Sequence, residues 1–221
     1  MNTIDTSGVL DEALERLHAS GPERLGRLTN HAPMVAEALV ARGRPDAVHR
    51  WLDRYEDHLE DFPTPVAPVT DADWATALGD PRRVADWIAY FTRALSAQDW
   101  RSLLATWWPR LLPGMFGGST HTVIRTGHAV RALLDHEESE PRLTELAHAL
   151  GYWAARHHPL SGVTRLPGAA DADEALEAVP PIRVREGGFP TRLALVGALP
   201  VWSGDVTGPD EARQRLTELV R

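Results

Sequence analysis

Residues 117–133 read GGSTHTVIRTGHAVRAL, and this stretch sets the main prediction for the fold. Small residues open it and an apolar run at helical spacing follows, which predicts a turn and then a helix through about Leu134. His121 and His128 lie seven positions apart, so they share one helix face with about 10.5 Å of rise between them. Arg125 lies between the two, one turn from each. The stretch therefore combines a core helix with side chains that are suited to chemistry.

Helical patterns of the same kind cover most of the chain on both sides of this stretch. Apolar residues recur at three- and four-residue spacing, and capping residues or prolines stand at the starts of these segments. The segments are residues 7–19, 30–43, 44–62, 80–98, 99–114 and 140–158. A proline-rich connection at 61–70 cannot be helical, and a break is expected near Pro109.

The sequence changes in character after His158. Residues 159–204 are rich in proline and glycine, and among them only PIRVRE (181–186) alternates as a strand does. A last amphipathic helix is expected over residues 208–221. We therefore predict an all-α protein, a single irregular helical bundle domain over residues 1–221 with a Pro/Gly-rich, less regular C-terminal third.

The composition excludes several classes of function. The net charge of −8 gives no basic surface for nucleic acid or for a membrane of anionic lipid. No apolar run reaches the length of a membrane span, and the N-terminus lacks the pattern of a secretory signal. There is no cysteine, which excludes disulfides and thiolate metal sites and favours a cytoplasmic location. All 23 basic residues are arginine, so no lysine can serve as a base or a Schiff-base former.

Four of the ten histidines lie among small or apolar residues, namely His31, His121, His128 and His148. A buried imidazole needs partners for its ring nitrogens, and neutral imidazole is the commonest metal ligand. His121 and His128 could bind one ion only if they lean together or if His121 belongs to the entry turn. Two interpretations stay open, a shared metal site and ordinary core or surface histidines. The remaining six are expected on the surface, at positions 18, 49, 58, 136, 157 and 158.

Eight tryptophans are many for this length, and most are expected in the core. Trp107 and Trp108 differ, because adjacent residues cannot share a helix face and Pro109 disturbs the backbone beside them. They could form an aromatic floor that binds a planar substrate, or simply pack in the core. No dinucleotide-binding motif, P-loop or nucleophile elbow is present.

At these motifs the chain resembles the questin oxidase-like family. The matching segments are LTNHAPMVAEALVARG (28–43), WLDRY (51–55), DWIAYFTRAL (86–95), WRSLLATWWPRLLPGMFGGSTHTVIRTGHAVRAL (100–133) and ELAHALGYWAARHHPLSG (145–162). The resemblance implies an oxygenase that acts with dioxygen on an aromatic, anthraquinone-like polyketide, by Baeyer–Villiger or ring-cleaving oxidation. It also implies Fe(II) held mainly by histidines, with NADPH as an external reductant.

Carried over onto this sequence, the resemblance implies His31, His121 and His128 as iron ligands, with His148 as a candidate fourth. Histidine ligation with open positions suits Fe(II) that must bind dioxygen. Arg125 would orient an anionic substrate oxygen or a bound superoxide. The other interpretation of Arg125 is a structural ion pair.

The sequence departs from the family near its end. Relatives carry an EHxxK-like motif there, whose lysine is a carboxylated iron ligand in the ring-cleaving branch, whereas this chain ends in TELVR and has no lysine. Three interpretations stay open: a second polypeptide supplies the remainder, the site is a reduced one, or the chain is an incomplete and inactive piece. The expected partner is that second polypeptide or another copy of the chain in a homo-oligomer. An apolar patch is expected around Leu216, Leu219 and Val220. Two alternative functions stay open, a non-catalytic helical subunit or binding protein of a secondary-metabolite pathway and a metal-dependent hydrolase.

Overall fold

The computed structural model describes residues 7–25, 28–160, 162–169 and 172–202, and the chain divides into two compact units. The first unit is Met1–Pro159 and the second is Leu160–Arg221. Most of the described residues are helical, which confirms the predicted all-α class. The prediction of one domain over residues 1–221 stays a prediction.

In its described part the first unit contains eight α-helices and one small sheet. The helices are α1 (Ser7–His18), α2 (Ala32–Ala41), α3 (Val48–Tyr55), α4 (Trp74–Ala77), α5 (Val84–Ala97), α6 (Trp100–Leu111), α7 (His121–Asp135) and α8 (Glu140–Ala155). The sheet pairs β1 (Glu23–Arg24) with β2 (Leu28–Thr29) in antiparallel orientation. Each predicted helical segment of this unit contains one of these helices, because the apolar periodicity that predicts a helix is a local property.

Helix α8 lies at the centre of the first unit. All its residues from Leu146 to Ala155 are buried, as expected for a helix that is apolar on every side. It packs against α1, α5 and α7. Gly151 allows the closest approach, since a Cβ there would lie 2.7 Å from the backbone nitrogen of Ile88 on α5.

Two hydrophobic clusters fill this unit. One lies around α5, α6 and α8 and contains most of the aromatic side chains, and the other joins α1, α2 and α3. The proline-rich connection at 61–70 is irregular, as predicted. The expected break at Pro109 was wrong, because helix α6 continues through it to Leu111. The missing N–H of Pro109 falls in the last turn, where the exposed Ala105 carbonyl can bind water instead.

The second unit contains two short helices and a parallel pair of strands in its described part. They are α9 (Ala172–Glu177), α10 (Phe189–Leu193), β3 (Thr164–Ala169) and β4 (Ala198–Trp202). This pairing was not predicted, and PIRVRE (181–186) is not a strand. The expected helix at 208–221 and the apolar patch around Leu216, Leu219 and Val220 lie outside the described residues. No helix of the described part is long and apolar enough to cross a membrane.

Candidate functional site

The turn before α7 has an unusual backbone. Gly118, Ser119 and Thr120 have φ angles of 57°, 55° and 69°, so three successive residues are left-handed. For an L-residue this conformation costs roughly 1–2 kcal/mol, and such strain is concentrated at functional sites. The turn presses against the end of α8, because a Cβ on Gly117 would lie 1.7 Å from the Arg156 carbonyl oxygen. The fold therefore holds this turn in a conformation that its sequence does not favour.

The left-handed turn fixes the ring of His121, the first residue of α7. Its Nδ1 lies 2.9 Å from the carbonyl oxygen of Gly118 and 3.1 Å from that of Ser119. Because carbonyl oxygens only accept hydrogen bonds, Nδ1 carries the proton and donates. In the neutral ring, Nε2 then keeps its lone pair and can accept a proton or bind a metal ion.

His31 reaches the same place from the start of α2. Its ring meets that of His121 edge to face, with the centroids 4.9 Å apart and the planes at 89°. Burial, and then the neighbouring His121 ring, lower the pKa of His31. The backbone carbonyl of Thr29 faces the His31 ring and opposes this shift, because it favours the charged form of the ring. His31 is exposed and His121 is half-buried, so the pair is open to solvent. Two of the four predicted histidine ligands thus meet at one accessible point.

His128, the second histidine of α7, has a different neighbourhood. Its Nδ1 lies 2.5 Å from Oε2 of the buried Glu37 on α2, and Arg131 binds the same carboxylate through two nitrogens. Burial by itself raises the pKa of Glu37, but the hydrogen bonds from His128 and Arg131 outweigh it and leave that pKa lowered. His128 is therefore oriented by a carboxylate two turns along α7 from the His31–His121 pair.

His148, on α8, lies in the interior. Its ring packs against His18 with the centroids 4.9 Å apart, and Nε2 of His18 lies 3.8 Å from Oε2 of Glu145. Burial, and then the charge of Arg125 and the neighbouring His18 ring, together lower the pKa of His148 to about 2. His18 was expected on the surface. That expectation is corrected here, because only 15% of its side chain is exposed.

Arg125 is buried and paired with Glu145. Its Nε lies 2.7 Å from one carboxylate oxygen and its Nη2 lies 2.9 Å from the other, which makes a bidentate pair. Its Nη1 is buried without a hydrogen-bond partner. This geometry is that of an interior ion pair, and the predicted role of Arg125 in holding an anionic oxygen stays a prediction.

The two tryptophans proposed as an aromatic floor face different surroundings. Trp107 is buried in the core, where its ring meets those of Trp74, Trp87, Tyr90 and Phe91. Trp108 is 39% exposed and meets Trp153 edge to face. Adjacent residues of α6 thus point apart, and the predicted binding of a planar substrate by this pair stays a prediction.

A sequence model described as questin oxidase-like matches residues 28–172 of this chain of 221 residues. The chain belongs to the questin oxidase-like family. Membership indicates an oxidase or oxygenase activity. No curated protein and no solved structure matches the chain. The left-handed turn and the His31–His121 pair fall within the matched residues, and so do His128 and His148. Of the polar residues around the last two histidines, Glu37, Arg125, Arg131 and Glu145 also lie in the matched range, whereas His18 precedes it.

The questin oxidase-like chain does not supply a complete iron site from its described residues. In that part no three His, Asp or Glu side chains are grouped so that they could hold a metal ion. The four predicted ligands instead occupy three places: His31 with His121, His128 with Glu37, and His148 with His18. The donor set that this part of the chain brings together is a pair of imidazoles.

Sequence reasoning missed the partners that orient these side chains. Glu37 binds His128 and Arg131, and Glu145 binds Arg125, but neither carboxylate was singled out from the sequence. Charge at an otherwise apolar helix position was the available signal, since both carboxylates stand on helix faces that turn inward. Pairing between α2, α7 and α8 is a tertiary property that the pattern of one helix does not contain.

Proposed function

We propose that this chain is an oxygenase that oxidises an electron-rich, anthraquinone-like polyketide with dioxygen, by Baeyer–Villiger or ring-cleaving chemistry. Family membership supports an oxidase or oxygenase. We place the proposed active site at the contact between His31 and His121, which lies at a strained, solvent-accessible turn. A cytoplasmic location belongs to the same proposal.

The chain's own contribution is proton transfer at Nε2 of His121. The carbonyls of Gly118 and Ser119 hold the proton on Nδ1, so Nε2 accepts the proton of a phenol whose hydroxyl comes within hydrogen-bond distance. The phenol O–H bond breaks, an N–H bond forms, and the phenolate is left more electron-rich and easier for dioxygen to oxidise. The pKa of His31 is lowered by burial and by His121, so at neutral pH it adds no competing charge.

Fe(II) as the metal and NADPH as the reductant are also part of the proposal. The described residues provide only two of the ligands that such an iron site needs. His31 and His121 would be the natural pair of iron ligands, with each ring already oriented by a backbone carbonyl, as is usual for metal-binding histidines. The further ligands would come from a second polypeptide or another copy of the chain. Metal binding and proton transfer are alternative roles for His121, because an Nε2 atom that binds iron has no lone pair left to accept a proton.

The test is dioxygen consumption in the presence of a polyhydroxylated anthraquinone, measured with and without added Fe(II) and NADPH. His121→Gln is expected to lower the rate by roughly 10²–10⁴-fold, the usual contribution of a general base. His31→Gln, which removes the ring in contact with His121, is expected to lower the rate as well. His128→Gln is the matched control, because His128 lies on the same helix but is bound to Glu37. It is expected to keep most of the activity.

Iron content measured on the same preparations separates the two roles of the pair. Stoichiometric iron that is lost in His121→Gln and kept in His128→Gln would support metal binding by the pair. Unchanged dioxygen consumption in both pair variants would overturn the proposal. Turnover without dioxygen would favour the hydrolase, and no turnover in any condition would favour the non-catalytic subunit.

A further inference from the structure

The hydroxyl of Tyr152 lies at the centre of a buried polar network. Tyr152 belongs to α8 and has no exposed surface. Its Oη donates to Oε1 of Glu23 at 3.1 Å and lies 2.9 Å from Oγ1 of Thr29. Because the tyrosine proton goes to the carboxylate, the Thr29 hydroxyl donates to Tyr152 Oη. Arg156, which directly follows the end of α8, binds the same Glu23 carboxylate.

Both segments that hold the histidine pair meet at this hydroxyl. On one side Thr29, which binds it through Oγ1, turns its backbone carbonyl toward the ring of His31. On the other side a Cβ on Gly118 would lie only 2.9 Å from Tyr152 Oη, so the left-handed turn rests on the hydroxyl. The carbonyl of Gly118 is one of the two that hold Nδ1 of His121.

We propose that Tyr152 is a positioning residue that sets the contact between His31 and His121, acting through Thr29 and through the turn at Gly118. The two histidines come from elements about 90 positions apart, and this hydroxyl touches the support of each. A strained turn keeps its shape only when its surroundings hold it. The catalytic meaning of this inference rests on the proposed function, but the geometry itself does not.

The chemistry of the hydroxyl agrees with a positioning role. Burial, and then the Glu23 carboxylate, raise the pKa of Tyr152 well above its usual value. The hydroxyl therefore stays protonated at any working pH and keeps its hydrogen bonds. With no exposed surface it does not reach a substrate, so its effect on the reaction passes through the two rings.

The test compares Tyr152→Phe with Tyr90→Phe. Tyr90 is also buried, lies on α5 and donates to Asp71 at 2.6 Å, so both variants remove a hydroxyl that donates to a carboxylate. The ring nitrogen signals of His31 and His121 are recorded by NMR, where they report which nitrogen carries the proton. Only Tyr152→Phe is expected to shift these signals and to raise the Nε2-protonated share of His121.

Turnover provides the second measurement. A misplacement of about 1 Å can cost roughly 10²-fold in rate, so Tyr152→Phe is expected to lower kcat by up to that factor with little change in KM. Tyr90→Phe should lower the melting temperature without lowering kcat. If the wild type shows no turnover, the proposed function fails while the NMR comparison still decides the role of Tyr152.

Thr29→Val keeps the test decisive if Tyr152→Phe does not fold. It removes the hydroxyl that binds Tyr152 and leaves the backbone carbonyl that faces His31. It is expected to shift the His31 signals more than those of His121, and its effect should not add to that of Tyr152→Phe. Equal signal shifts in Tyr152→Phe and Tyr90→Phe, or unshifted signals in Thr29→Val, would overturn the inference.

Discussion

A guanidinium as deeply buried as that of Arg125 needs a counter-charge nearby, because taking an unpaired charge out of water costs several kcal/mol. Glu145 provides that charge through both carboxylate oxygens. The pair joins α7 to α8, and Arg125 lies one helix turn after His121. A residue that the sequence marks as a candidate for catalysis is thus also a structural link.

Arg125→Met is expected to lower the free energy of unfolding by about 3–5 kcal/mol, because it leaves Glu145 buried with its charge uncompensated. The double variant Arg125→Met, Glu145→Gln removes that charge and should recover a large part of the loss. Chemical denaturation of the wild type, both single variants and the double variant measures the coupling. If Arg125 holds an anionic oxygen instead, Arg125→Met would lower turnover and leave stability unchanged.

The buried histidines make stability depend on pH. Burial lowers the pKa of His148 from 6.5 to about 2, and it also lowers the pKa of His18. Below pH 6.5 the unfolded chain takes up protons that these rings refuse in the folded state. The contribution of these rings to the free energy of unfolding is therefore fully present above pH 6.5. It is lost as the pH falls below 6.5, by up to about 1.4 kcal/mol per pH unit for each ring.

The measurement is the free energy of unfolding between pH 7.5 and 5, a range that stays above the ordinary titration of carboxylates. His148→Gln is expected to unfold more easily at pH 7.5, since it changes a packed interior position. Its stability should nevertheless depend less steeply on pH than that of the wild type. An unchanged slope in this variant would show that His148 takes up its proton in the folded state as readily as in the unfolded chain.

The sequence marked four histidines as candidate ligands, and the structure brings two of them, His31 and His121, into contact. His31 and His121 stand out because each is flanked by small residues, which is a local signal. Glu37 lies 91 positions from His128, and Glu145 lies 20 from Arg125. Such partners are brought together only by helix packing, so spacing along the chain gave no reason to choose them over other carboxylates.

Among the elements, the crossing of α5 and α8 is the tightest that a single substitution can probe. A Cβ on Gly151 would lie 2.6 Å from Cγ1 and 2.7 Å from the backbone nitrogen of Ile88. Gly151→Ala is therefore expected to lower the free energy of unfolding by roughly 1–3 kcal/mol, although alanine favours helix. Gly127→Ala, on the open face of α7, meets nothing within 4 Å and should raise stability by up to about 1 kcal/mol.

Thermal unfolding of the two glycine variants beside the wild type gives the comparison directly. Opposite signs are the expected outcome, because both substitutions add one methyl group to a helix and differ only in the space around it. Equal stabilisation in both would mean that α5 moves away from α8 without penalty.

Helices could be predicted well at this scale, and strands could not. The periodic apolar positions of α1 and α5 indicate both that a helix forms and which face of it is buried. The pairing of β3 with β4 is different, since its two strands are separated along the chain and each contains a proline, Pro167 and Pro200. Strand β1 has only two residues, which is too short for an alternating pattern to be recognised.

For the molecule as a whole, the division into two compact units gives a clear expectation. Among the described residues, every member of both hydrophobic clusters lies within residues 1–159. A chain cut after Pro159 is therefore expected to fold on its own and to unfold cooperatively. Far-UV circular dichroism and a denaturant titration of this fragment would check it. A fragment that melts without a cooperative transition would contradict this view.

The turn before His121 has one more consequence, which concerns chirality. Ser119 and Thr120 hold a backbone geometry that is natural for a D-amino acid and unfavourable for the L-residues that occupy it. At this point the chain is locally the mirror image of the helix it introduces. Semisynthesis with D-serine at position 119 should therefore relieve strain of roughly 1–2 kcal/mol and stabilise the protein. The candidate site would then begin at a stereocentre that the ribosome cannot supply but that the fold already accommodates.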